Sequence, residues 1–416
     1  MTTGSQRRIG LVTPLYAPAV GGVERYVERL ATGLVARGLA VEVITTDPGS
    51  RSPSVDVRDG VTVRRFPTVR GDAIYFASPR LSRWLLHHAD SFELMHAHNL
   101  HTLVPVAAAY AARQRGVPLV ITAHYHGTGH TPLRRLLHVP YRPVARRAVR
   151  FADRIVCNSA AECALLRHDF GDVLRTTLVP EGIDLPGLAP APTATDADAS
   201  PSPDPKVDPD GRSGLVSLLT VGRLEAYKSV ERIVEALPHL PATHRLVVVG
   251  EGPARASIES AATRLGLGDR VVMRGRVSDD ELVAWYASAA VSISLSRHES
   301  FGLVVLEAAA AGCPVVAADI PALREAAGYA PPGRIALVDL DASSEVLAAA
   351  ISGAIARGRS QRLTTTERAP GWTIPTWDSL VDGVLRVYDD VMAARRDASS
   401  SPAIGPAGSP RPDRRG

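Results

Sequence analysis

Two carboxylates and two cations in the second half of the chain have the types and spacing needed to handle a charged leaving group. Glu299 and Glu307 lie eight positions apart (307 − 299) and flank a Ser-Phe-Gly turn that leads into an alanine-rich segment. Arg223 and Lys228 come directly after an apolar run. Fixed cations stabilise negative charge that builds up on a phosphate oxygen as a bond to it breaks. The pattern predicts a site that can bind a phosphate.

The two cations would act differently. An arginine can fork onto two phosphate oxygens, whereas a lysine acts as a point charge. The alternative is that Arg223 and Lys228 belong to a surface charge cluster with Glu225 at a helix start, since surface ion pairs are common and weak. The nearby glutamate pair favours the interpretation in which both cations bind a phosphate over that alternative.

The residues after Glu299 add a second way to hold an anion. Residues 300–302 open a predicted helix, and the first backbone N–H groups of a helix, with its positive dipole end, bind anions. Glu307 lies roughly two turns from Glu299 at about 3.6 residues per turn, so we expect it to point along the same crevice. An exposed Glu307 is disfavoured because residues 303–306 are all apolar and indicate burial.

Glycine and histidine residues lie at the ends of predicted strands in the first half. Gly21 and Gly22 follow the first strand, and a glycine turn lets the backbone approach a phosphate or a second substrate. His98 and His124 follow two further strands. No carboxylate or cysteine lies beside these histidines at ligand spacing, so we predict no metal site.

Neither half carries the signature of a dinucleotide site. A Rossmann fingerprint needs Gly-x-Gly-x-x-Gly between a strand and a helix, and it is absent after the first strand. Residues 250–253, Gly-Glu-Gly-Pro, also lack the third glycine. NAD binding is therefore disfavoured, and we expect no cofactor.

A scaffold of parallel strands would bring these strand ends together. Apolar runs of strand length alternate with segments of helical period, which is typical of parallel sheets covered by helices on both faces. The predicted strands are 9–13, 41–45, 61–66, 94–97, 119–122, 155–157 and 177–179, then 215–221, 245–249, 271–274, 291–294, 315–317 and 335–338. The predicted fold class is α/β, with two Rossmann-like, doubly wound domains.

Length and composition divide the chain. Its 416 residues exceed what one hydrophobic core usually supports. Residues 185–214 are rich in Pro, Asp and Ala and contain no aromatic residue, so we predict a disordered linker. The predicted domains cover residues 1–184 and 215–375, followed by a helix over 376–393 and a disordered tail over 394–416.

Charge and cysteine use exclude other classes. A formal charge of +4 gives no case for nucleic-acid binding. Three cysteines, an odd number, argue against a disulfide framework and for a reducing compartment. No apolar run reaches the roughly 18 residues of a membrane helix, and the first apolar stretch is too short for a signal peptide. We expect a cytoplasmic protein.

One local charge pattern leaves two interpretations open. Arginines interleaved with apolar residues crowd residues 134–154, where Asp153 is the only acid. Such a segment is typical of a helix that rests on the anionic inner face of a membrane. The alternative is a solvated helical face, as most charge runs are. The arginines that would contact the membrane are Arg134, Arg135, Arg142, Arg146, Arg147 and Arg150.

Taken in order, these motifs resemble those of the retaining nucleotide-sugar glycosyltransferases of family 4. The matching segments are residues 21–24, 179–184, 221–224, 250–253, 299–307 and 314–317. The resemblance implies a GT-B fold, in which two Rossmann-like domains face a cleft and the last helix crosses back to the first domain. It also implies metal-independent, retaining transfer of a hexose from a UDP- or GDP-sugar to a hydroxyl of a lipid, a saccharide or a small molecule.

The resemblance assigns roles to particular residues. Glu299 would bind hydroxyls of the transferred sugar, Glu307 would bind those of the ribose, and His124 would lie near the sugar. The catalytic set is then His124, Glu299, Arg223 and Lys228. The donor would contact Gly21, Gly22, Arg223, Lys228, Glu299, Ser300, Phe301, Gly302, Leu303 and Glu307, and the acceptor side would include Tyr16, His98 and His126.

The chain departs from the family pattern at three places. Ser229 follows Lys228 where the family usually has glycine, Glu181 stands where many members carry Asn, and residues 320–325 lack glycines often found after the preceding strand. Two other functions stay open: a sugar epimerase or phosphorylase on the same fold, and a catalytically silent scaffold. Fold alone does not decide between them.

Overall fold

The computed structural model describes residues 6–19, 21–69, 76–127, 132–171, 174–183, 214–360 and 375–400. These residues form an eight-stranded and a six-stranded sheet. The first sheet contains β1 Arg8–Thr13, β2 Ala40–Asp47, β3 Ser54–Arg58, β4 Val61–Pro67, β5 Leu94–His98, β6 Leu119–Thr122, β7 Arg154–Cys157 and β8 Thr176–Leu178. The second contains β9 Val216–Val221, β10 His244–Val249, β11 Val271–Gly275, β12 Val291–Ser294, β13 Val315–Ala318 and β14 Ile335–Val338.

Helices connect the strands and cover both faces of each sheet. Those of the first half are α1 Gly22–Ala36, α2 Pro79–His88, α3 Leu103–Arg115, α4 Pro132–Val149 and α5 Ala160–Phe170. Those of the second half are α6 Val230–Ala236, α7 Arg255–Arg264, α8 Asp279–Ser288, α9 Leu303–Ala310, α10 Pro321–Tyr329, α11 Ser344–Ser360 and α12 Trp377–Ser400.

Each sheet has one point where the winding direction reverses. In the first sheet, β1 pairs in parallel with β2 on one side and with β5 on the other. In the second, β9 lies between β10 and β12 in the same way. Ligands of such sheets bind beyond the carboxyl ends of the strands at this reversal. The reversals therefore locate candidate sites after β1 and β5 and after β9 and β12.

The strand predictions are confirmed to within three residues at either end, with one omission. Strand β3, the antiparallel edge strand, is exposed along most of its length, so its valines give no burial signal. The predicted end of the last helix at residue 393 and the predicted start of a tail at 394 are wrong, because α12 continues to Ser400. In this extension Arg395 forms an ion pair with Asp153 at 2.8 Å. The linker prediction lies outside the described residues apart from Gly214, as does the tail from 401 onward.

Helix α12 completes the first domain. Its apolar residues, among them Leu380 and Val384, join one core with α1 and the strands of the first sheet. Inside that core the Tyr388 hydroxyl lies 2.7 Å from Nδ1 of His96 on β5. Arg37 at the end of α1 binds two α12 carboxylates, Asp378 and Asp382. The last helix is therefore an integral layer of the first domain.

A small apolar cluster joins the two domains. Ile183, at the end of the first domain, packs with Phe301, Leu306 and Ala326 of the second. Beside it the chain crosses between the domains a second time, where the Ile183 N–H donates to the Pro375 carbonyl at 3.0 Å. The chain segments that leave and re-enter the first domain therefore meet beside this cluster. Within the described ranges, no helix has the length and apolarity to span a bilayer.

Candidate active site

Two loops that contain glycines form the crevice of the second domain and pack directly against each other. After β9, Gly222 adopts φ +141, and its N–H donates to the Val249 carbonyl at 3.0 Å. A Cβ atom on Gly250 would lie 1.9 Å from the Gly222 oxygen, so only glycine fits there. A pocket opens at this point, lined by Thr220, Val221, Gly222, Arg223, Leu224, Lys228, Val230 and Ser294.

Lys228 and Glu299 meet in this crevice. The Lys228 ammonium donates to the Glu299 carboxylate at 2.5 Å. The loops that carry them are also joined through the backbone, since the Arg297 N–H donates to the Tyr227 carbonyl at 2.9 Å. Burial alone would lower the pKa of Lys228, but the carboxylate of Glu299 and the Tyr227 side chain outweigh it, and the pKa is raised. Lys228 is therefore a fixed cation.

The turn after Glu299 is held in a conformation that only glycine adopts readily. Helix α9 begins at Leu303 and not at residues 300–302, and Gly302 is its N-cap with φ +96. A Cβ atom on Gly302 would lie 2.5 Å from Cδ2 of Leu323 on α10. Phe301 is buried beside it. Because α9 follows the carboxyl end of β12, its positive dipole end lies at the crevice.

Glu307 is buried on α9 and contacts the other domain. One of its oxygens accepts a hydrogen bond from the Tyr286 hydroxyl at 3.2 Å, and the other lies 3.6 Å from the Arg25 guanidinium of α1. Burial raises the pKa of Glu307, and Arg25 and Tyr286 partly offset this. The predicted burial is confirmed, and Arg25 makes the carboxylate part of the domain interface.

Arg223 is the exposed member of the cation pair. Its side chain is 72% exposed and pairs with Glu225 at 3.1 Å. Across the cleft, Glu24 follows the glycine turn Gly21 and Gly22 at the start of α1. Burial raises the pKa of Glu24, and the charge of Arg223 lowers it in part. The charge of Arg223 therefore reaches Glu24 of the first domain.

The histidines of the first domain form a buried cluster. His98 and His124 have ring centroids 5.9 Å apart, and His124 and Tyr26 form a T-shaped pair with ring centroids 4.7 Å apart. Asn158 lies 3.2 Å from Nδ1 of His124, and burial lowers the pKa of His124 to about 3. Neither nitrogen of His98, nor Nε2 of His124, has a hydrogen-bond partner within the part of the chain that the structure describes.

The two other acceptor-side residues differ in their settings. The His126 ring is stacked 4.0 Å from His101 and lies 6.4 Å from His298, the neighbour of Glu299 in the second domain. Tyr16 is buried in the α1-side core, where burial raises its pKa to about 12. The structure thus places His126 at the cleft but does not bring Tyr16 to an open surface.

Sequence patterns did not reveal several residues at this interface. Arg25 and Tyr286 are recognised only through their contacts with Glu307, and Asn158 only through His124. Glu181 was noticed as a departure but given no role. It is buried, and its Oε1 has no hydrogen-bond partner among the residues that the structure describes. Burial, followed by the charges of Glu162 and Glu307, raises the pKa of Glu181 well above its ordinary value. The signal available in the sequence for Glu181 was an acid at a motif position where many family members carry Asn.

The basic segment is divided between core and solvent. Tyr141 and Val149 of α4 are buried, whereas Arg146, Arg147, Arg150 and Val144 are exposed. Arg142 pairs with Asp169 at 3.1 Å. The side chains of Arg134 and Arg135 lie outside the described residues. Among the residues that are described, His, Cys, Asp and Glu form no group of three or more that could hold a metal.

Comparison with solved structures identifies the class. Sucrose-phosphate synthase from Thermosynechococcus elongatus matches with a TM-score of 0.76 at 23% identity, covering 94% of this chain and 100% of that chain. Anabaena HepE in complex with UDP and glucose matches with a TM-score of 0.66 at 19% identity, covering 95% and 100%. Two doubly wound parallel-sheet domains and these neighbours define a GT-B glycosyltransferase fold.

Sequence comparison identifies the family. Residues 20–186 match the Glycosyltransferase Family 4 model and residues 212–368 match Glycosyl transferases group 1. The D-inositol 3-phosphate glycosyltransferase of Xylanimonas cellulosilytica is 31% identical over 407 residues, which cover 90% of this chain and 94% of that protein. That of Acidothermus cellulolyticus is 30% identical, with 95% and 92% covered. The chain belongs to glycosyltransferase family 4.

Proposed function

We propose that the protein is a retaining enzyme that moves a hexose from a UDP- or GDP-sugar to an acceptor hydroxyl without a bound metal. The observation that carries the proposal is the contact of 2.5 Å between Lys228 and Glu299 where the second sheet reverses. It combines a cation suited to a diphosphate with a carboxylate suited to sugar hydroxyls in one crevice.

Charge on the departing diphosphate would be offset by the protein alone. Lys228 is a fixed cation, Arg223 is exposed and free to swing onto a second phosphate, and the α9 N-terminus adds its dipole. An anion arriving at Lys228 would weaken its pairing with Glu299. Glu299 would then accept hydrogen bonds from the sugar hydroxyls.

The nucleoside and the sugar would be held from opposite sides. Glu307, buried and held by Tyr286, would accept hydrogen bonds from ribose hydroxyls. His124 is neutral, and its Nε2, which has no hydrogen-bond partner within the described ranges, can bond to a hydroxyl of the transferred sugar. The acceptor hydroxyl would attack the anomeric carbon on the face that the diphosphate leaves, and a phosphate oxygen would take its proton. Such a step needs no nucleophile from the protein.

The relatives suggest which substrates to test first. HepE has been solved with UDP-glucose, which supports a UDP-sugar donor. The curated relatives are named for D-inositol 3-phosphate, which supports a small polyol phosphate as acceptor ahead of a lipid. At about 30% identity the acceptor can differ, so a saccharide belongs in the same panel.

The test begins with binding and ends with the product. UDP-glucose, UDP-N-acetylglucosamine and GDP-mannose are each added to the purified protein, and the true donor is expected to raise the melting temperature most. That donor is then incubated with D-inositol 3-phosphate and with simple saccharides, with and without EDTA. An α-linked product from an α-linked donor, formed in EDTA, agrees with the proposal.

Three results contradict the proposal or parts of it. An inverted linkage excludes retention, and loss of activity in EDTA excludes metal independence. Release of nucleotide without acceptor extension, or dependence on inorganic phosphate, favours an epimerase or a phosphorylase. A silent scaffold would keep its cellular function when Glu299 is replaced by alanine.

Contact with an anionic membrane stays a prediction and has a separate test. The exposed Arg146, Arg147 and Arg150 support it. Replacing these three arginines with glutamine should abolish co-sedimentation with vesicles containing phosphatidylserine at low salt. Equal sedimentation of the native and substituted proteins would favour a solvated face.

A further inference from the structure

Three hydrogen bonds join the two domains next to the turn between Glu299 and Gly302. Ser159, the N-cap of α5 in the first domain, donates from its hydroxyl to the Ser300 carbonyl of the second domain at 2.6 Å. Glu325 of α10 accepts from the N–H groups of Ala160 at 2.9 Å and Ala161 at 3.2 Å. We call these contacts the interdomain latch.

Each half of the latch satisfies a strong physical requirement. The first N–H groups of α5 have no partner within the helix, and a carboxylate there is favoured by the helix dipole. That carboxylate, Glu325, comes from the other domain. Ser159 is fully buried, and its oxygen also accepts from the Glu162 N–H at 3.0 Å. Opening the cleft would leave these groups without their partners.

The latch acts on the turn between Glu299 and Gly302. The Ser300 carbonyl, which receives the Ser159 hydroxyl, is one residue from Glu299. Helix α10, which carries Glu325, supports the other side of the turn, because Leu323 packs against Gly302 and Tyr329 lies 5.8 Å from Phe301. The turn is therefore gripped from the first domain and from α10 together.

We propose that Ser159 and Glu325 are positioning residues for glycosyl transfer: the latch fixes the Glu299 turn in its working geometry only while the domains are closed. Because the turn is assigned to the donor in the proposed function, this inference rests on that function. The residues act through Ser300 and α5, not by touching the donor. Loss of the latch should therefore lower the rate and favour an open cleft.

The experiment compares Glu325→Ala, Glu325→Gln, Ser159→Ala and Ser159→Thr. Ser78→Ala is the matched control, because the Ser78 hydroxyl also caps a helix, α2, and also donates to a backbone carbonyl, Pro67, at 2.7 Å, but entirely within one domain. Melting temperature, kcat and KM are measured with the nucleotide sugar selected from the panel. Ser159→Thr keeps the hydroxyl and serves as the conservative rescue.

Domain closure is measured independently of turnover. Spin labels are placed at Val57→Cys and Val346→Cys, which are 71% and 54% exposed in the first and second domains. The native cysteines, Cys157, Cys163 and Cys313, are free and buried, so labelling favours the introduced sites. Distances between the labels are recorded with and without UDP.

The expected result is a fall in kcat of about tenfold or more in Glu325→Ala and Ser159→Ala, with longer label distances. Glu325→Ala loses two charge-assisted hydrogen bonds, and Ser159→Ala loses the hydroxyl bond to the Ser300 carbonyl. Glu325→Gln should lie between, and Ser159→Thr and Ser78→Ala should keep native kcat and distances. Native kcat or native distances in both alanine variants overturn the proposal.

The variant Glu299→Gln distinguishes a failure of the positioning role from a failure of the proposed function. If it is impaired while the latch variants are as active as the native enzyme, only the positioning role fails. If Glu299→Gln is fully active, the proposed function of the turn fails, and the positioning role falls with it.

Discussion

The Lys228 ammonium and the Glu299 carboxylate lie 2.5 Å apart although 71 positions separate them in sequence. Their side chains are only 18% and 19% exposed, so water screens the pair weakly. The same pair thus has a structural task, mutual neutralisation, and a proposed catalytic task. The two tasks can be separated by substitution.

Replacing Lys228 with methionine should affect both tasks. We expect kcat to fall by about 10²- to 10³-fold, as for loss of a group that stabilises developing charge. Stability should fall by about 1–3 kcal/mol because Glu299 loses its partner. The double variant Lys228→Met with Glu299→Gln should regain stability but not activity. Chemical denaturation and initial rates measure the two effects, and recovery of activity in the double variant would contradict the catalytic assignment.

Arg223→Ala should affect binding without affecting folding. The side chain is exposed, so the free energy of unfolding should change by less than about 0.5 kcal/mol. Affinity for UDP should weaken about tenfold or more, and Arg223→Lys should recover part of it. Arg255→Ala is the matched control, since Arg255 is also exposed and also pairs with a glutamate, Glu259 at 2.9 Å. Calorimetric titration with UDP gives the answer, and equal affinities for both variants would exclude Arg223 from phosphate binding.

Gly302→Ala should destabilise the turn by more than the positive φ of this position alone would cost. Alanine at φ +96 costs about 1–3 kcal/mol, and the added Cβ would also overlap Leu323. Gly312 lies beyond the other end of α9 with φ +82, and no atom of a described residue lies within 4 Å of an added Cβ. Gly312→Ala should therefore lose only the conformational part and keep its rate. Thermal unfolding and kcat of the two variants test this, and similar rates in both would show that the turn tolerates displacement.

His98→Phe should change how stability depends on pH. Burial, followed by His96 and His124, lowers the pKa of His98 well below 6.5. Below about pH 6.5, His98 binds a proton in the unfolded chain but not in the folded chain. The free energy of unfolding therefore falls as the pH falls. The variant should gain on the native protein by about 1.4 kcal/mol per pH unit below 6.5 and show little gain above it. Urea denaturation at pH 7.5 and 5.0 measures this. His87→Phe, at an exposed position, is the control. If the free energies of unfolding of His98→Phe and of the native protein change with pH in the same way, the prediction is wrong.

Local patterns predicted the strands because burial on both faces leaves a continuous apolar run. Leu119–Thr122 has the predicted bounds for this reason. Strand β3 was missed because its valines face solvent. The end of α12 was missed because its last turns are polar and are held by the contact between Arg395 and Asp153.

The site was predictable as far as one loop or one helix determines it. The spacing of Glu299 and Glu307 and the glycines after β9 can be read locally. The contacts of Glu307 with Arg25 and of Ser159 with Ser300 depend on how two separate sheets face each other. Such contacts join residues more than 140 positions apart, and no periodicity records them.

The first domain includes a layer that is translated after the second domain. Residues 6–183 form its sheet, but Tyr388 and the apolar stripe of α12 that cover β5 and α1 are translated only after the whole second domain. A nascent chain at residue 183 therefore exposes an uncovered sheet face, and His96 lacks the Tyr388 hydroxyl. We expect the amino-terminal half to depend on chaperones until α12 has been synthesised. In a circular permutant that begins at Trp377, that half should fold earlier.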